Sequence, residues 1–508
     1  MSRMRNYTFP ALLLITLLWP VLIYGSAGYF SDSSGYYRGG VVAVKFAHRK
    51  LDEITDLHRD TATTATDTLP RMDQGSVNGL RSISYSIATY FLSFKTNLLP
   101  LVVAQGVLVL LVLLIFARAN GILEHYGTMA ALFGVGLLTS LPVFTTLATP
   151  DVFAGLMILA ALLLIFQADQ LRTRETYLMG AVVVAAITGH ASHVLLAIGM
   201  LATAVLVLIA NRFLKPSNRE MPGRWGWITA PLLIGLAANA TMSLIGFGEV
   251  SLTPKHYPFA LARSIEDGPA LWYLNEQCPQ RKFAICELYR DRPIPQSNNA
   301  FLFGKEGIAG RANPTQMDRI RAEEPAIVQA AIQRYPWHQF KSTLANVWQQ
   351  TIEIGISPIE FQNMQLSAEG GVLMRSVDRL PTLSFTIVVQ QIITLVALAV
   401  TLIGLPVVSP KLRWMAIWSM VFLLANAAIC GGISAPAPRY QNRVAWILAL
   451  IAIPIAHTLI RTNHLRSAVK QCTGAREARL ADRRKADRRT TVGRTSGNID
   501  SLVRFMFR

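Results

Sequence analysis

Apolar residues along this chain fall into long runs separated by short polar stretches, and that pattern predicts membrane helices. The runs lie near 9–23, 97–117, 127–148, 152–168, 176–190, 192–211, 226–247, 384–407, 414–431 and 443–460. A helix needs about 20 residues to cross the hydrocarbon core of a bilayer, so each run reads as one span, ten in all. The stretch 176–211 has no Asp, Glu, Lys or Arg and is too long for a single span without strong tilt. Gly189, His190 and Ser192 interrupt its middle. Arg172 and Arg174 precede it, and Arg212, Lys215, Arg219 and Arg224 follow it. Basic flanks belong on one side of the membrane, which requires a hairpin of two spans.

Two longer polar segments separate the runs. In residues 26 to about 94, Tyr24–Gly40 reads as a Gly/Ser-rich loop, Val41–Leu57 as an amphipathic interfacial helix, and Thr61–Gly79 as a flexible Thr-rich loop. The segment 248–383 shows helical apolar spacing over Ala260–Leu274 and Ala326–Ile354. Pro269 and Pro336 are expected to break or kink these stretches, and DRPIPQSNN between them reads as turns. The expected architecture is therefore all-α. It comprises an N-terminal bundle (1–247), a small helical extracytoplasmic subdomain (248–383), a C-terminal set of membrane helices (384–460) and a disordered basic tail (461–508).

Composition supports a membrane protein. Of 508 residues, 52% are hydrophobic and only 15% charged, against roughly 25% charged in soluble domains. The formal net charge of +18 would suit nucleic acid, but its distribution does not. Arg461–Arg508 holds 13 Lys/Arg against 4 Asp/Glu, half of the total charge, with aromatics only at Phe505 and Phe507. A basic tail after the last span marks the cytoplasmic side and suits anionic membrane lipid; no nucleic-acid partner is expected. Ten spans then place both termini in the cytoplasm of a multi-pass protein of the cell inner membrane. The basic MSRMRN start before the first run resembles a signal peptide and is read as an uncleaved anchor. Cys278 and Cys286, close together in the outer segment, are a disulfide candidate in an oxidising compartment, two free thiols being the alternative.

This topology gathers ionisable residues at one membrane edge: Asp32, Asp151, the His190/His193 turn, and Arg439 with Arg443 in APRYQNR. Such residues at the mouth of a bundle are functional candidates. Each has a plainer reading. Asp151 follows Pro150 and could simply start a helix, the histidines could form a polar turn, and the arginines could anchor a helix at the interface. Two histidines without a third ligand are a weak metal signal.

An Asp after the first span (SDSSGYY), RSISYS before the second, Pro-Asp in TPDVFAG, GHASH and the late RYQNR together resemble the GT-C superfamily of polytopic membrane glycosyltransferases. These enzymes use polyprenyl-phosphate-linked sugars. The resemblance covers the first 200 residues best, and it implies transfer of a hexosyl or pentosyl group to a glycan, lipid or protein acceptor on the outer face. It makes Asp32 the matching position for the first-loop acid that serves as catalytic base or orients the acceptor, with Asp151 where a second acid is often found. Tyr36, Arg81, Tyr85, His193, Arg439 and Arg443 are the candidate substrate-binding residues. The chain departs from the pattern: its large polar segment follows the seventh span, and the first loop has only one clear acid near the membrane instead of a pair.

A sugar carried on lipid phosphate brings its own leaving group, so no nucleotide-sugar domain is needed, and the chain has neither a Gly-rich Rossmann pattern nor an Asp-x-Asp site. What remains is to deprotonate an acceptor hydroxyl and to stabilise the departing phosphate with arginine or a metal. No motif calls for a cofactor; a divalent metal stays open. Two rivals also remain, a transporter or flippase for a lipid-linked glycan and a non-catalytic partner in envelope polysaccharide assembly. The spans are nearly free of charge, which ranks the transporter lower.

Overall fold

The computed structural model describes residues 2–56, 81–213, 223–356, 359–367, 371–376 and 383–462. The Thr61–Gly79 stretch and the basic tail beyond Thr462 lie outside them. The chain is a helical membrane bundle with an attached helical unit. Among the described residues six helices are long and apolar enough to cross a membrane: Leu99–Ala119, Ala191–Ala210, Gly226–Phe247, Phe385–Gly404, Pro410–Ile433 and Pro438–Thr462. Thr8–Tyr24, Ile83–Leu92, Tyr126–Leu138 and Val152–Phe166 are shorter apolar helices.

In chain order the first part comprises α1 (Ser2–Tyr24), α2 (Ser31–Asp56), α3 (Ile83–Leu92), α4 (Leu99–Ala119), α5 (Tyr126–Leu138), α6 (Leu141–Thr145), α7 (Val152–Phe166), α8 (Thr173–Gly189), α9 (Ala191–Phe213) and α10 (Gly226–Phe247). Helix α7 is the centre. Every residue of it except Phe153 is buried, as expected of a helix that is apolar all round. It packs against α8, α10 and the helix Pro410–Ile433. The run 127–148 does not form one helix. It breaks at Thr139–Ser140, where Pro142 in the first turn of α6 has no N–H to continue the α5 ladder and its ring would crowd the carbonyl four residues back. The stretch 176–211 is two helices, α8 and α9, separated by the extended residue His190 (φ −157°, ψ 141°).

The Gly/Ser-rich stretch after α1 is not a loop throughout. After the short strand β1 (Gly28–Tyr29) it enters α2 at Ser31, so Asp32 occupies the first turn of a helix. Its glycines serve packing. A Cβ on Gly40 would lie 2.2 Å from the Ser86 carbonyl oxygen, and one on Gly39 would lie 2.9 Å from Ser86 Oγ. Small residues let α2 and α3 approach closely, and the amphipathic stretch from Val41 continues this same helix to Asp56.

The second part is a helical unit: α11 (Phe259–Asp267), α12 (Pro269–Gln277), α13 (Ala284–Leu288), α14 (Asn298–Phe303), α15 (Ile308–Arg311), α16 (Pro314–Arg334) and α17 (Pro336–Ile352). Breaks fall at Pro269 and Pro336, each in the first turn of the following helix. Helices α11 to α16 enclose their own hydrophobic core, which includes Leu261, Leu274, Ile285, Phe301, Met317 and Ile327. Cys278 and Cys286 are joined by a disulfide, with Cα atoms 5.3 Å apart. A β-hairpin, β2 (Glu360–Leu366) and β3 (Val372–Ser376), follows and was not legible as strand in the sequence. Strand β2 pairs antiparallel with β1, with Gly28 opposite Phe361, giving the order β1-β2-β3. The chain ends in α18 (Ser384–Gly404), α19 (Pro410–Ile433) and α20 (Pro438–Thr462).

Candidate functional site

The residues singled out by sequence converge at one end of the bundle, around the N-terminus of α7 and the N-terminal turns of α2 and α20. The framework is set by polar locks. Gly28 donates its N–H to the Thr146 carbonyl (2.8 Å), and Ala148 N–H returns to the Gly28 carbonyl (2.9 Å). This ties the segment before Asp32 to the segment before Asp151. The hydroxyls of Ser82 and Ser84 donate to the carbonyls of Gly189 and Thr188, both at 2.6 Å. Those carbonyls end α8 and have no partner within the helix. The RSISYS motif thus fixes the start of α3 on the α8–α9 break.

Two acid–arginine pairs occupy this frame. Asp32 Oδ1 accepts from the Arg81 guanidinium in a very short contact at the partly open edge. Its second oxygen, Oδ2, accepts no hydrogen bond among the described residues. Asp151 lies deeper. Its Oδ1 accepts from Arg443 Nη1 (3.0 Å) and its Oδ2 accepts from the Thr149 hydroxyl (2.6 Å). Asp151 occupies the N-cap position of α7, yet makes no capping bond to the helix backbone. Asp151 thus stands at the start of α7, as the plainer reading had it, and also forms an ion pair between α7 and α20. Arg443 Nη2 also donates to Ser192 Oγ and Asn426 Oδ1, both at 3.1 Å. A charge buried at this depth is tolerated because it is paired and hydrogen-bonded.

Arg439, one turn before Arg443, differs from both. It is almost completely buried but forms no ion pair among the described residues. Its guanidinium lies 3.6 Å from the centre of the Phe30 ring and 4.9 Å from that of Tyr440, and Nη2 donates to the Tyr440 hydroxyl (3.3 Å). Both Asp32 and Asp151 are within its electrostatic reach. Three guanidiniums here face two carboxylates, so the cluster carries an excess positive charge, and its arrangement suits an anion.

The remaining sequence candidates fall into place around this cluster. Tyr36 is buried and meets the Tyr85 ring edge-to-face at 4.9 Å. The Tyr85 hydroxyl donates to Gln105 Oε1 (2.6 Å), and Gln105 Nε2 holds the Thr145 and Leu147 carbonyls. Both tyrosines therefore form the floor of the site. His193 is fully buried and its Nδ1 meets the Ala186 carbonyl at 2.8 Å. Its partner His190 holds Ser192 through Nδ1, and Ser192 holds Arg443. Sequence reasoning missed Phe30, Tyr440, Gln105, Asn426 and Ser192, because aromatic stacking and amide brackets leave no spacing signal. Among the described residues no three His, Cys, Asp or Glu side chains come together as a metal site. Both carboxylates are held by guanidiniums, so this donor set does not fit a divalent cation.

No family model matches the chain, and no curated protein or solved structure matches it either.

Proposed function

We propose that this chain is an integral membrane glycosyltransferase that moves a hexosyl or pentosyl group from a polyprenyl-phosphate donor to a glycan, lipid or protein acceptor. The observation that carries this reading is Arg439, a nearly buried guanidinium that forms no ion pair among the described residues, lying within electrostatic reach of a carboxylate with one oxygen free among them. An unpaired buried charge is costly, and a lipid phosphate would satisfy it with charge-assisted hydrogen bonds.

In the proposed reaction Asp32 Oδ2 takes the proton of the acceptor hydroxyl. The acceptor oxygen bonds to the anomeric carbon as that carbon's bond to the phosphate oxygen breaks. The bonding pair leaves with the polyprenyl phosphate, whose added negative charge is met by Arg439 and Arg81. Arg443 and Asp151 hold the α7–α20 junction on which Arg439 is mounted. Tyr36 and Tyr85 shape the floor, and His193 supports the α8–α9 turn behind it.

The same reading sets the topology: ten spans in a cell inner membrane, both termini cytoplasmic, and the site and the 259–352 unit on the extracytoplasmic side. An oxidising outer compartment suits the Cys278–Cys286 bond. Purified protein should transfer radiolabelled sugar from a panel of polyprenyl-phosphate sugars to an extractable acceptor. Absence of transfer with every donor, from protein that melts cooperatively, counts against the assignment. Cysteine-accessibility labelling that places residue 300 on the cytoplasmic side counts against the topology.

A further inference from the structure

Helix α17 has two unlike faces. One packs along α19, where Gly431 and Gly432 leave room for Asn346, Gln350, Thr343 and Val347. Gln350 brackets the α19–α20 connection by donating to the Ala437 carbonyl (3.0 Å) and accepting from its N–H (2.9 Å). The opposite face carries Trp337, Phe340, Leu344, Trp348 and Ile352, each between 57% and 65% exposed. Their spacing of three then four residues sets them in one stripe. Exposed apolar stripes of this size mark a protein or membrane contact.

We infer that this stripe lies in the headgroup–acyl boundary of the bilayer and docks the 259–352 unit onto the membrane surface. Three observations select lipid over a protein partner. First, the stripe is continuous with the lipid-facing surface. Helix α17 rests on α19, and Gln391 of α18 donates to the Ile354 carbonyl just beyond α17 (3.1 Å). Phe385, Val388, Ile392 and Leu395 on α18 are equally exposed. Second, the stripe holds two tryptophans, Trp337 and Trp348, the side chain that favours the membrane–water boundary. Trp337 stacks on Phe340, and Lys341 Nζ lies 5.2 Å from the centre of the Trp337 ring. An amphipathic stem with its charge at the rim suits headgroup depth. Third, α17 contains no Asp or Glu, so nothing on the helix repels anionic lipid. This inference does not depend on the glycosyltransferase reading.

The test uses the full chain with Leu344→Cys and Cys472→Ser, spin-labelled and reconstituted in phosphatidylethanolamine–phosphatidylglycerol vesicles. Cys430 is buried and the other two cysteines are disulfide-bonded; the Cys472→Ser protein without the Leu344 change checks the background label. Power saturation should show greater collision with oxygen than with a water-soluble nickel chelate at position 344, and the reverse at a control label on exposed Arg290. Greater nickel access at position 344 would overturn the inference, as would low access to both reagents with spin–spin broadening, which would signal a second copy. A measurement free of the label uses doxyl-lipid quenching of tryptophan emission. Trp348→Phe should lose part of the wild-type quenching, and unchanged fractional quenching would again overturn it.

Discussion

The two acid–arginine pairs are chemically alike and structurally opposite. Asp151 and Arg443 have side-chain exposures of 4% and 1%, whereas Asp32 and Arg81 have 14% and 26%. Both oxygens of Asp151 are engaged, and Arg443 is bracketed by Ser192 and Asn426. Asp32 keeps one oxygen free. A buried, saturated pair fixes helices and is strongly destabilising to break. A pair at the water edge contributes little to stability and can exchange partners with a substrate. Depth within the same frame thus separates a saturated brace from a pair with a free carboxylate oxygen, although the sequence presents two aspartates at similar membrane edges.

Breaking the brace should have the largest effect on the fold. Asp151→Asn or Arg443→Leu should each cost roughly 3–5 kcal/mol, seen as a marked fall in melting temperature in detergent. Asp151→Leu combined with Arg443→Met should recover much of that loss, because neither charge is then left unpaired. A double variant as unstable as the sum of the singles would mean that the pair does more than satisfy itself. Arg439→Ala sharpens the contrast from a third direction. It should raise the apparent KM for the donor about 10–100-fold, the weight of a hydrogen bond to a charged group, with a smaller change in kcat. An unchanged KM would separate Arg439 from the donor phosphate.

The broad plan was readable because apolar run length and helix periodicity are local properties. Runs became helices, and Pro269 and Pro336 marked helix starts in the 259–352 unit. Errors arose where a local signal had a tertiary cause. The glycines near Asp32 are permissive residues, but they serve a helix–helix contact with Ser86 instead of a loop. Pro142 splits an otherwise unbroken apolar run. The β2–β3 hairpin depends on pairing with Gly28, more than 300 residues earlier in the chain. At the site, charged residues announced themselves by standing at membrane edges. Their pairing, and the Phe30–Tyr440 stack around Arg439, could not be read from spacing.

The 259–352 unit offers two smaller tests away from the acid–arginine cluster. Opening the disulfide with Cys278→Ser should cost less than roughly 3 kcal/mol, since it closes a loop of only 8 residues' separation. The melting transition should fall modestly while the bundle stays intact. The smallest effect is on pH. The hydrogen bond that His256 donates to the Glu324 carboxylate raises the His256 pKa, supported by the Thr253 carbonyl and opposed by burial. A raised folded-state value means the contribution is fully present below the unfolded value, roughly 6.5, and is lost as pH rises through the folded value. Wild type should therefore lose stability relative to His256→Gln as pH rises above roughly 6.5. Parallel pH curves for the two proteins would show that the His256–Glu324 pair has no such role.

Asp32→Asn, assayed for both sugar transfer and melting, tests the central claim most directly. The amide keeps the shape of the side chain but cannot take a proton at neutral pH. Loss of a general base costs roughly 10²–10⁴-fold in rate, about 3–5 kcal/mol of barrier. The account predicts a fall in kcat of that order at a melting temperature close to wild type. Full transfer by the well-folded Asp32→Asn protein, or a loss of activity that only follows a loss of stability, would contradict it.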